Sequence, residues 1–250
     1  MQPQVLGILG GLGPLASAEF IKTIYQLNIS TSERLAPICQ LYSNPTVPKR
    51  QADLTAQDQH VLYEFLLTAL EQLCQMGSQK IVIACITLHS LLDQLPRSLQ
   101  TKVISLVEII LIEVLQRQEK YLLLCSMMTR QSQVFTQHPQ WHLAESYILF
   151  PDDQDQAMIS NSFRQLKLNA HPSLFQKPLE MLLKRYEVAG WISGCTEFHL
   201  VHKHLLDVQN RQAHSQVVNV QNTSTQTINN IIDPLWIVAQ RLTELLAVES

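Results

Sequence analysis

Apolar and polar positions along this chain alternate between two patterns, short unbroken apolar runs and helical stripes, and the alternation repeats from end to end. Val5 to Leu9 is a run short enough to be a buried strand, and it breaks at Gly10-Gly11-Leu12-Gly13-Pro14. Beyond that turn Ala16, Phe20, Ile24 and Leu27 recur at helical spacing. Ile38 to Tyr42 predicts a second strand, followed by the proline-punctuated SNPTVPKR over 43–50. A helix is expected over Gln57 to Gln75, with Gly77 placed to cap its end. Ile81 to Ala84 is a third strand, after which Leu88, Leu91 and Leu92 resume helical period until Pro96. Val103 and Ile104 predict a further short strand, and Val107 to Leu115 a helix.

The second half restarts the alternation. Tyr121 to Leu124 and Tyr147 to Phe150 read as strands, Met158 to Leu168 and Leu179 to Tyr186 as helices. The apolar run after Gly190 is a further strand. His202 to Gln226, rich in Gln, Asn and His, reads as a long surface loop with one short helix. Ile231-Ile232-Asp233-Pro234 then opens a final helix, Leu235 to Leu246. Repeated strand–helix units specify an α/β protein with parallel sheets, and the restart implies two of them. No glycine- or serine-rich linker separates the halves, so any boundary is a crossover inside one body.

Two of these strands end on a thiol. In KIVIACITLHSLL the run stops at Cys85, and in GWISGCTEFHLV it stops at Cys195. His89 and His199 each follow their cysteine by four positions. The carboxyl end of a parallel strand, where a helix begins, is where ligands bind in open α/β sheets. Two facing thiols suit proton transfer at a carbon, because a base is needed on one face and an acid on the other. A free thiol titrates near 8.5, close enough to neutrality for donors and helix N-termini to create the thiolate. Taken singly, a free cysteine is a small buried hydrophobe, which is the reading for Cys39, Cys74 and Cys125. A shared zinc site built from Cys85, Cys195, His89 and His199 lacks the close-set ligand pairs of structural zinc sites. Glu197 either tunes the second thiol or serves as a first-turn helix acid. The turn after the first strand either cradles an anion or is a tight turn without a ligand; it is neither GxGxxG nor a Walker loop.

Composition narrows the class. Of 250 residues, 46% are hydrophobic and 16% charged, which is the balance of a globular chain. A net charge of −3 leaves no basic surplus for phosphates, so nucleic acid is not an expected partner. The most apolar segment, Val103 to Leu115, carries Glu108 and Glu113 and is too short to span a bilayer. No basic segment or cleavage site marks a secretory signal at the start. Five scattered cysteines without CxxC spacing point to a reducing, cytoplasmic compartment.

LGILGGLGPLASAEF, YSNPTVPKR, IVIACITLH, SGCTEFHL and IIDPLWIVAQ together resemble the cofactor-independent aspartate/glutamate racemases, most closely the aspartate racemase branch. The resemblance implies two Rossmann-like lobes with parallel sheets related by a pseudo-twofold, and an active site in the cleft between them. It places 1–105 plus 227–250 in a first lobe carrying Cys85, and 106–226 in a second carrying Cys195. It also implies a homodimer, a small amino-acid substrate, and no cofactor or metal. By the same resemblance Cys85 and Cys195 are the two catalytic groups, and Arg50 holds a substrate carboxylate bidentately. Lys167 would take the second carboxylate, and Thr46, Thr87, Thr129, Thr196, Gly11 and Leu12 would complete the substrate site.

The sequence departs from that family at two places. Ile86 stands where an asparagine usually follows the first cysteine, removing an amide from the substrate's surroundings, and Met128 replaces a glycine before Thr129. The expected reaction is racemisation of aspartate by a thiol/thiolate pair. Alternatives are a related isomerase or decarboxylase acting on maleate, an arylmalonate or a hydantoin, or a non-catalytic dicarboxylate-binding protein. Two cysteines favour racemisation, since decarboxylation needs one.

Overall fold

The computed structural model describes residues 4–29, 31–47, 55–214 and 227–247. The first sheet contains β1 (Val5–Gly10), β2 (Ile38–Ser43), β3 (Lys80–Ile83) and β4 (Val103–Ile104), all parallel, in the order β2-β1-β3-β4. The second contains β5 (Tyr121–Cys125), β6 (Ile148–Leu149), β7 (Gly190–Gly194) and β8 (Ile231–Ile232), also parallel, in the equivalent order β6-β5-β7-β8. Two lobes with one topology follow from two rounds of the same strand–helix alternation.

Between and around the strands run α1 (Pro14–Asn28), α2 (Ala56–Gln75), a 3-10 segment over Ile86–Gln94, α3 (Arg97–Gln100) and α4 (Leu106–Arg117). The second half adds α5 (Met127–Gln131), α6 (Trp141–Ala144), α7 (Asp153–Lys167), α8 (Gln176–Tyr186), α9 (Phe198–His214), α10 (Pro234–Gln240) and α11 (Leu242–Leu246). Their starts are marked by side chains that satisfy the first backbone donors. Thr55 and Asp58 form a capping box on α2, Ser105 accepts from the Glu108 N–H on α4, and Asp152 from the Asp155 N–H on α7.

Strand alternation sends each sheet's two faces into different cores. Leu6, Ile8 and Val82 of the first sheet share one buried cluster with Leu123 and Ile192 of the second. That shared cluster is filled by α4 and α10, whose Ile110, Leu111, Leu235 and Val238 are fully enclosed. The opposite faces carry separate clusters, Leu9 and Ile83 under α2, and Leu122 and Trp191 under α8 and α9. Each buried Leu or Ile contributes about 1.5–3 kcal/mol, so the common core binds the lobes into one body. Among the described residues no helix is long and apolar enough to cross a membrane.

Three sequence expectations are corrected. Residues 202–214 of the expected loop are helix, since α9 runs to His214, and 215–226 lie outside the described residues. Its buried positions Phe198, Val201, His202 and Leu205 keep the i, i+3, i+4, i+7 stripe, with a histidine in an apolar slot that hid it. Ile231 and Ile232 do not open the last helix but form β8, paired with Trp191 and Ile192. β8 completes the second sheet, while α10 packs on α1. The last helix also divides at Arg241 into α10 and α11.

Candidate active site

Cys85 and Cys195 follow the carboxyl ends of β3 and β7, Cys85 directly before the 3-10 segment and Cys195 one turn before α9. Both are buried, at 7% and 9% exposure, and both line one cleft of about 380 Å3 between the lobes. That volume suits a small metabolite. The Cys85 carbonyl accepts the Leu88 N–H at 3.2 Å and the Cys195 carbonyl the Phe198 N–H at 2.9 Å, so the positive end of a helical segment lies beside each thiol.

The Cys195 thiol donates to Glu197 Oε2 at 2.8 Å, and Glu197 Oε1 lies 3.2 Å from Lys167 Nζ. Glu197 is 3% exposed and reaches across to the first lobe. A Cβ added at Gly13 would come within 2.3 Å of its Oε1, so the glycine-rich turn makes room for this carboxylate. Burial raises the Cys195 pKa well above its ordinary value, and the Glu197 charge raises it further, while Lys167 pulls it down. Cys195 is therefore held as the thiol that donates to Glu197. Lys167 also lies over the Phe163 ring, 5.3 Å from its centre.

Threonines close the cleft from both lobes. Thr87 Oγ1 and Thr129 Oγ1 are 2.7 Å apart, and Thr196 Oγ1 donates to the Ala84 carbonyl at 3.1 Å. Thr87, Thr129, Thr196, Lys167 and Leu12 all line the cleft. Gly11 and Thr46 do not. Gly11 has φ of 85° and packs against the Asn44 backbone, so it serves the turn, and the exposed Thr46 bonds Asn44 Oδ1 at 2.7 Å. Arg50 lies outside the described residues. Ile86 and Met128, the two departures, both face the cleft, and Ile86 also joins the shared core at 2% exposure.

Val47, Ser126, Ser160 and Phe163 line the cleft without having been singled out from sequence. A signal existed for two of them, because Ser160, Phe163 and Lys167 lie at i, i+3 and i+7 on one face of α7. The other cysteines stay away from the cleft. Burial pushes the Cys125 thiol up to about 12 and Cys39 to about 11, which makes both inert at neutral pH.

His89 is not available as a metal ligand. Its Nε2 accepts the Leu106 N–H at 3.1 Å, so Nδ1 carries the proton and donates to the Cys85 carbonyl, also at 3.1 Å. The neutral ring thus caps α4 and fixes the backbone beneath Cys85. Burial pulls its pKa down to about 4, although the carbonyl favours the charged ring. The unfolded chain takes up this proton near pH 6.5, so His89 contributes stability above that pH and loses it as pH falls toward 4. Between pH 7.5 and pH 5 the cost is about 2 kcal/mol. Urea unfolding at both pH values should show His89→Gln flatter than the parent by about that amount; identical pH slopes would refute it.

Residues 9–222 match the family described as Asp/Glu/hydantoin racemase. Among solved structures, Picrophilus torridus aspartate racemase is 19% identical with a TM-score of 0.74, the match covering 97% of this chain and 94% of that one. An aspartate racemase homologue from Pyrococcus horikoshii is 18% identical, TM-score 0.68, covering 98% and 99%. Francisella tularensis glutamate racemase in complex with D-glutamate is 13% identical, TM-score 0.60, covering 99% and 84%. At these identities the likeness is one of fold.

Proposed function

The chain belongs to the Asp/Glu/hydantoin racemase family, and on that premise we propose that it interconverts the enantiomers of an acidic amino acid, aspartate before glutamate. The observation that carries the reading is that Cys85 and Cys195, from different lobes, line one cleft with Lys167 on its wall. One cysteine as thiolate removes the α-hydrogen from one face of the substrate. The electron pair left on Cα is delocalised into the α-carboxylate, whose negative charge is favoured by the helical N-termini. The opposite thiol then delivers its proton to the other face and becomes the thiolate. One proton has entered and one has left, so the pair ends with its roles exchanged, and their titration belongs to the pair.

Lys167 supports an acidic side chain as substrate. Its Nζ lies 3.2 Å from Glu197 Oε1, and a β-carboxylate would compete for the same cation. Thr87, Thr129 and Thr196 supply hydroxyls to the substrate's polar groups, and Arg50 remains the proposed partner of the α-carboxylate. Aspartate rather than a larger substrate fits because Met128 and Ile86 fill wall space with hydrocarbon. A homodimer and a cytoplasmic setting complete the proposal, the first checked by sedimentation.

Incubation with L-aspartate in heavy water tests the reaction. Deuterium should appear at Cα together with D-aspartate, and L-glutamate should react more slowly. Aspartate binding with no exchange at all would make the protein a binding module and end the racemase reading.

A further inference from the structure

A second group of chemically capable side chains sits away from the cleft, at the junction of α1, α9 and the start of α10. His199 and His202 stand one turn apart on α9, and Asp233 links β8 to α10. All three are buried, at 0%, 6% and 1% exposure. His199 Nδ1 and His202 Nδ1 converge on the same oxygen, Oδ2 of Asp233, at 2.6 and 2.8 Å. One possible donor atom from each residue lies within 4.8 Å of the others. The second oxygen, Oδ1, is occupied as the cap of α10, accepting from the Leu235 and Trp236 N–H groups at 3.1 and 3.4 Å.

We propose that His199, His202 and Asp233 form a binding site for a divalent transition-metal ion, zinc being the representative, at the seam between the lobes. Two imidazoles and one carboxylate oxygen are the donor set such ions take, whereas calcium and magnesium prefer oxygens throughout. Zinc bonds of about 2.0–2.2 Å put tetrahedral ligands about 3.4 Å apart, so each imidazole must withdraw from Oδ2 by about 0.6–0.8 Å. Small χ rotations of two side chains accommodate that. The helix cap on Oδ1 already fixes the carboxylate, and the common i, i+3 face of α9 fixes both rings.

Thr23 gives the site a way to register the ion. It is a fully buried residue of α1, with Oγ1 3.1 Å from His199 Nε2. Without the ion, Nδ1–H of His199 donates to Asp233, and Nε2 accepts the Thr23 hydroxyl. With the ion on Nδ1 the ring proton moves to Nε2, which then donates to Thr23 Oγ1. Both states leave the buried ring hydrogen-bonded, and the ion couples α9 to α1 through this contact.

The test uses the full chain, stripped with a chelator and titrated with zinc by calorimetry, and with cobalt as an absorbing substitute. Because thiols are themselves zinc ligands, the titration is repeated on the double variant Cys85→Ser, Cys195→Ser. The expected result is one zinc per chain that survives in the double variant and raises its melting temperature. His202→Gln and, separately, Asp233→Asn, which keeps the α10 cap, should each weaken that binding by about 100-fold or more. Cobalt should quench Trp236, whose ring is 5.1 Å from the His202 ring. Absence of zinc binding in the cysteine double variant would overturn the proposal. Undiminished binding in well-folded Asp233→Asn and His202→Gln proteins would do so equally.

Discussion

Replacing either Cys85 or Cys195 with serine is expected to remove racemisation almost completely while leaving proton exchange with one enantiomer. Serine keeps the volume and a hydroxyl at the same place, but its alkoxide is inaccessible at neutral pH. General acid–base groups contribute about 10²–10⁴ in rate, and racemisation in either direction uses both cysteines, so each single variant should lose at least about 10³. Exchange without inversion requires a base on one face only. Cys85→Ser should therefore keep solvent exchange with the enantiomer whose α-hydrogen faces Cys195, and Cys195→Ser with the other. The two variants are measured in heavy water with each pure enantiomer, following Cα deuterium and chirality separately. A variant that still racemises near the parental rate has lost only a packing residue, which would remove that cysteine from the mechanism. A variant that exchanges both enantiomers equally would mean that one residue serves both faces.

Much of the fold was legible because its strands are unbroken apolar runs and its helices carry regular stripes. The same rule located both thiols, since a run that stops at a cysteine before a helical pattern marks a strand's carboxyl end. It failed where polar residues occupy apolar positions. His202 belongs to the inner face of α9 and bonds Asp233, yet in sequence it sits in a polar stretch that resembles a surface loop. Ile231 and Ile232 pair with β7, a partner about 40 residues away in the chain, and long-range pairing leaves no mark on local pattern. The cleft divides in the same way. Lys167 and the threonines were reachable from the resemblance, but the contact of Glu197 with Gly13 was not. That contact forms only when the turn after β1 and the turn after β7 meet across the lobes.

This meeting point carries a prediction with opposite signs in two measurements. Glu197 accepts the Cys195 thiol on one oxygen and holds Lys167 with the other. The carboxylate's charge raises the pKa of a thiol already raised by burial. Glu197→Gln retains the shape and an acceptor but removes the charge, so the Cys195 thiolate becomes easier to form and less basic toward carbon. Iodoacetamide should then modify Cys195 faster at pH 8 in the variant, while kcat for aspartate falls by about 10². Lys167, released from its carboxylate, should hold the substrate's side chain more firmly, so KM falls rather than rises. Gly13→Ala approaches the same group from the other lobe. Its Cβ meets Glu197 Oε1 at 2.3 Å, and Gly13 has extended backbone at φ −167°, so the methyl adds crowding without backbone strain. Displacing the carboxylate by about 1 Å should cost roughly 10-fold or more in kcat, with only a small loss of thermal stability. Damage to folding alone would lower alkylation selectivity, raise KM and destabilise both variants together. If Glu197→Gln instead leaves both the alkylation rate and kcat at parental values, Glu197 is a space-filling cap on α9 and the thiol's basicity is set by burial alone.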